Sequence, residues 1–161
     1  MCDAVNKQMG AWVPMADFEL VRRLAAADQG LAIVATTRAD GTIQASLVNA
    51  GPLAHPDGSG DVVGFVAGGN ARKLVHVRER PRACVVFRSG WEWVSVEGPA
   101  TILGPDDPPG GADPEQLRRL LRDVFSAAGG THDDWDEYDR VMAAERRAAV
   151  LVRPERVTSN G

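Results

Sequence analysis

A chain of 161 residues suits one domain with room for a buried core. Its 44% hydrophobic and 25% charged residues are the mixture of a globular protein, and a net charge of −4 argues against nucleic acid as a partner. No apolar run reaches the roughly 18–20 residues of a membrane helix, and the opening MCDAVNKQMGAW lacks the apolar stretch of a signal peptide.

Residues 1–14 read as a flexible tail containing Cys2, ahead of a single domain over 15–161. Asp17 is placed to cap a first helix or to sit in its first turn; Phe18, Val21, Leu24 and Ala25 recur at helical spacing, and Gly30 ends it. Leu31 to Thr37 is a strand, and Asp40-Gly41 turns the chain into a second strand from Thr42 to Asn49. Gly51-Pro52 and the stretch 55–60 read as a turn-rich loop, followed by a third strand from Val62 to Ala67. Gly68-Gly69-Asn70 leads into a short helix over 71–80 that Pro81 stops, with Leu74 and Val77 inward. Ala83 to Arg88, in which Cys84 reads as a buried small hydrophobe, and Trp91 to Leu103 are two more strands.

Pro105 to Gly111 is a Pro/Gly loop. Pro114 to Ala128 is an amphipathic helix with Leu117, Leu120, Leu121 and Val124 on its apolar face. Asp133 to Arg146 reads as a second helix with an acidic start and a basic end, making a helical insert at about 112–146. Ala149 to Val152 is the last strand. Strands joined mostly by hairpins imply an antiparallel sheet, which six strands could close into a small barrel.

No metal-ligand spacing occurs: His55, His76 and His132 are scattered, and the two cysteines, which suit a reducing cytoplasm, have no spaced partners. Gly-x-Ser-x-Gly and P-loop patterns are absent, and the acidic run 133–137 reads as a solvated helix start. Gly68-Gly69-Asn70 before Arg72 and Lys73 suits a phosphate at a helix N-terminus, and equally a solvated basic helix. Lys73 is the one lysine besides Lys7, which lies in the tail. Strand 44–49 mixes polar and apolar residues; it suits a platform for a planar ring, or an ordinary half-buried strand.

Taken in order, Leu31 to Thr36 with Asp40-Gly41, Gln44 to Asn49, Arg72 to Ala83, Trp93 to Ala100 and the tail from Trp135 to Val157 resemble the flavin/deazaflavin oxidoreductase superfamily related to pyridoxamine 5'-phosphate oxidase. The resemblance implies a mainly β fold with flanking helices, a six-stranded antiparallel split β-barrel acting as a homodimer, with the coenzyme in a groove between subunits. Carried over, it puts Gln44, Ser46, Leu47, Val48 and Asn49 along the ring, and Arg72 and Lys73 on the phosphate. The insert ending Ala144-Glu145-Arg146-Arg147, and a composition similar to that of high-GC actinobacterial proteins, look like the F-420-using B-type branch. The Arg-rich C-terminal substrate segment of true pyridoxamine phosphate oxidases is not matched. The implied activity is cytoplasmic hydride transfer from reduced F-420 to a conjugated small-molecule acceptor, with no catalytic side chain assigned. An FMN-dependent oxidoreductase and a non-catalytic coenzyme- or haem-binding protein are the alternatives.

Overall fold

The computed structural model describes residues 15–107 and 113–160; the expected N-terminal tail and Cys2 lie outside them. In chain order the elements are α1 (Met15–Ala27), β1 (Leu31–Thr37), β2 (Ile43–Ala54), β3 (Asp61–Ala67), α2 (Arg72–Glu79), β4 (Arg82–Ser89), β5 (Glu92–Leu103), α3 (Pro114–Ala127), α4 (Trp135–Ala144), β6 (Ala148–Val152) and β7 (Arg156–Ser159).

All pairings are antiparallel, and the ladder runs β4-β1-β2-β3-β6-β5 and back to β4. This is the expected closed six-stranded barrel. The two longest strands divide their partners. β2 pairs with β1 up to Asn49 and with β3 from Ala50; β5 pairs with β4 up to Pro99 and with β6 from Ala100.

Alternation along the strands fills the interior. Ala32 and Val34 of β1, Val63 and Phe65 of β3, Val85 and Phe87 of β4, and Val94 and Val96 of β5 are all buried in one cluster. Phe18, Val21 and Leu24 of α1 and Leu74 and Val77 of α2 join it. Thr36 and His76 are buried among these apolar groups and bond to each other, Oγ1 to Nδ1 at 3.0 Å, which ties α2 to β1. A second cluster lies outside the barrel wall, where Leu120, Leu121, Val124 and Tyr138 of the helical pair cover Val62, Ala149 and Leu151. β6 is therefore buried on both faces, which explains its unbroken apolar sequence.

Four details depart from the sequence reading. β2 runs on through Gly51-Pro52 to Ala54, where a loop was expected. The Ala50 N–H donates to the Gly30 carbonyl on the β1 side, and Pro52 faces the same side, beyond the end of β1, so its missing N–H breaks no ladder bond. The helix expected over 133–146 ends at Ala144; Arg146 adopts φ 49° and reverses the chain into β6. Four residues after Pro154 add β7 against β5, a seventh strand too short to announce itself. Cys84 is only half-buried, on the outer face with Val86, opposite the inward Ala83, Val85 and Phe87; burial still pushes its thiol up.

Candidate functional site

A cleft of about 550 Å³ opens between the barrel wall and the helical pair, within the 300–1,000 Å³ range of small-molecule sites. One side is strand: Leu47, Val48 and Asn49 of β2, with Val66 and Ala67 at the end of β3. The other side is helix: Val124, Phe125 and Ala128 from α3, Tyr138 and Met142 from α4. Gly68, Lys73, Arg147, Gln29, Gly129 and Gly130 complete the lining.

Backbone close approach brings the two sides together. A side chain at Gly51 would fall onto the Ala127 carbonyl, so β2 meets the end of α3 without an intervening side chain. Gly30, at φ 74°, packs in the same way against Ala128. α3 opens with the Asp113 side chain accepting from the Glu115 N–H, and α4 with Asp134 accepting from Glu137 at 3.0 Å. That backbone bond holds the Asp134 carboxyl below its usual range. Asp139 of α4 accepts from Arg122 of α3 and locks the two helices together. Trp135 meets Phe125 and Tyr138 edge-on between them, and Phe125 and Tyr138 pack tilted against each other.

The electrostatics at the cleft are one-sided. Among its described lining residues there are two cations, Lys73 and Arg147, and no carboxylate. Lys73 makes no hydrogen bond or ion pair with any described residue. It lies on the first turn of α2, whose N-cap Ala71 offers no side-chain acceptor to the helix N–H groups. Arg147 bonds through Nε to Glu145 at 2.6 Å. Tyr138 donates its hydroxyl to the Leu121 carbonyl at 3.1 Å, and burial pushes its phenol up to about 12. Asn49 donates its amide to the Gln29 carbonyl at 3.0 Å, leaving its own oxygen to accept.

A family model described as pyridoxamine 5'-phosphate oxidase matches residues 19–161. The chain belongs to that family. Solved structures share its fold at low identity. An F420 reductase is 17% identical, over 91% of this chain and 98% of that one, with a TM-score of 0.60. A pyridoxamine 5'-phosphate oxidase-related, FMN-binding protein from Nostoc punctiforme is 13% identical over 94% and 84%, also with a TM-score of 0.60. A heme binding protein from Mycobacterium smegmatis is 21% identical over 94% of this chain and 56% of its own, with a TM-score of 0.59.

The sequence-derived candidates divide along β2, with those lining the cleft lying toward its middle. Leu47, Val48, Asn49 and Lys73 line the cleft, whereas Gln44, Ser46 and Arg72 do not. Gln44 and Ser46 stand opposite Thr36 and Val34, on the face that β1 buries. Arg72 is exposed beside Lys73. Sequence reasoning missed Arg147 and the aromatic wall of Phe125 and Tyr138. Their apolar neighbours at helical spacing signalled a packed face, and nothing in the period separates a residue facing a cleft from one facing a core.

Proposed function

We propose that the protein is an oxidoreductase that holds a phosphate-bearing flavin-type coenzyme, the deazaflavin F-420, in this cleft and reduces a conjugated small-molecule acceptor. The observation that carries the reading is Lys73, a cation with no partner among the described residues, in the lining of a cleft that mixes apolar and polar surface. The residues present fit such a group: a charge for phosphate, an apolar strand for a ring face, and a volume of about 550 Å³. The coenzyme, when bound, supplies hydride chemistry; the protein supplies position and electrostatics.

Lys73 and the uncapped start of α2 take the phosphate. Leu47 gives apolar contact to the ring, and the Asn49 oxygen accepts from its polar edge. Phe125, Tyr138 and Met142 screen the opposite side from water. Tyr138 keeps its proton at neutral pH and spends it on Leu121, so it serves as a wall and not as an acid. The helical pair that forms this wall is the feature favouring F-420 over FMN. For haem the cleft is poorly furnished: its described lining has no His or Cys, and the Tyr138 oxygen is engaged.

A homodimer completes the proposal. Leu31, Ile33, Ile43 and Leu47 are 39%, 41%, 67% and 64% exposed on one outer face of β1 and β2. Ile33 stands between Leu47 and Val86 in the ladder, so the apolar surface continues onto β4. Leu47 belongs to this face and to the cleft alike. A second copy docked there would wall the coenzyme site.

Titration of the purified protein with F-420 and with FMN, followed by oxidation of reduced F-420 against enones, quinones and tetrapyrroles, tests the reading. The expected result is tight F-420 binding with turnover of at least one acceptor. Replacing Lys73 with Ala is expected to weaken binding by about 1.5–3 kcal/mol. The same change at Arg38, in the β1–β2 hairpin and bonded to the Ile43 carbonyl, leaves binding unaltered. Failure to bind either coenzyme overturns the proposal.

A further inference from the structure

The turn between α4 and β6 is fastened directly to the turn that precedes α2. The Gly69 N–H donates to the Glu145 carbonyl at 3.1 Å. A side chain on Gly69 would meet the Arg146 carbonyl at 2.8 Å, so two backbones touch here. Ala148 pairs with Ala67 in the β3–β6 ladder, which sets the residue before it, Arg147, beside Gly68. Arg146, at φ 49°, makes the reversal and points its guanidinium away to Asp106, leaving Arg147 to line the cleft.

The Arg147 side chain is 35% exposed and is held by a single partner, Glu145, through Nε. Its two terminal nitrogens bond to no described residue. They belong to a planar fork suited to two oxygens of one anion. Arg147 and Lys73 thus come from elements far apart in sequence and line the same cleft, which has no described carboxylate in its lining; Arg147 also borders a second groove that Asp139 lines. Glu145 offsets the charge of Arg147, so Lys73 is the uncompensated cation of the two.

We infer that Arg147 is a second phosphate-binding residue, closing with Lys73 on the phosphate of the bound coenzyme while Glu145 holds the guanidinium in place. The inference rests on the coenzyme reading above. It adds a contact from the helical insert and ties that insert to coenzyme affinity.

The test compares coenzymes with and without their phosphate: FMN against riboflavin, and F-420 against its phosphate-free deazaflavin riboside. Each is titrated into the wild-type protein, Lys73→Ala, Arg147→Ala and Arg147→Lys, with thermal midpoints measured alongside. Arg147→Ala is expected to lose roughly tenfold to a hundredfold in affinity for the phosphorylated ligand and nothing for the phosphate-free one. Arg147→Lys is expected to recover part of the loss and serves if the alanine variant fails to fold. Equal losses for both ligands, or no loss at all, overturn the inference. If Lys73→Ala loses phosphate-dependent affinity and Arg147→Ala does not, the coenzyme reading stands and only this inference falls. A wild-type protein that binds none of the four overturns both.

Discussion

Tyr138 is the one tyrosine in the chain, so its phenol can be followed alone. Burial raises its pKa from 10.0 to about 12. A group whose pKa is raised on folding contributes stability that is fully present below its unfolded value and lost as pH rises through the folded one. Alkaline titration of phenolate absorbance is therefore expected to show a midpoint near 12 in the folded protein and near 10 in denaturant, with stability falling across that window. A folded midpoint near 10 would mean that the ring is not buried against α3. At this scale legibility was uneven. Lys73 stood out because lysine is otherwise absent from the body of the fold. Arg147 did not, because it followed an apparent basic helix end; the helix stops three residues earlier, and a left-handed Arg146 redirects the chain.

Among the elements, β1, β3, α2 and α3 lie within a residue or so of where hydrophobic period, capping and punctuation put them. β2 does not, because Gly51-Pro52 carries two turn-forming residues inside a strand. Their presence has a packing cause that no local pattern contains: the glycine admits α3, and the proline faces a side with no neighbour to bond. Gly51→Ala is accordingly expected to destabilise the protein by about 1–3 kcal/mol, read from urea unfolding. The change would also weaken coenzyme binding, since the end of α3 supplies Ala128 and Gly129 to the cleft. Unchanged stability would show that α3 can stand off from β2 at no cost.

For the whole molecule, the hairpins and the resemblance made a closed antiparallel barrel legible, while the pairings that close it were not. β6 joins β3 and β5 across long stretches of chain, and β7 is a four-residue addition after a proline. The helical pair covers one side of the barrel, and the outer face of β1 and β2, which meets the cleft at Leu47, keeps exposed leucine and isoleucine. Ile33 is central to that face and lies outside the cleft lining. Ile33→Asp is expected to convert a dimer to monomers in sedimentation velocity, because it sets two carboxylates into an apolar two-fold contact. A wild-type protein already monomeric at micromolar concentration would remove the dimer from the proposal.

The cleft draws its lining from Gln29 through Arg147, and the place of Arg147 depends on Ala148 being seated beside Ala67. During synthesis, everything up to α4 can leave the ribosome while the barrel still gapes between β3 and β5. β6 is the strand that fills that gap and sets Arg147 alongside Gly68. Under the proposed reading, coenzyme capture needs β6: a chain truncated ahead of residue 148 would keep most of the walls of the cleft and lack the strand that closes the barrel.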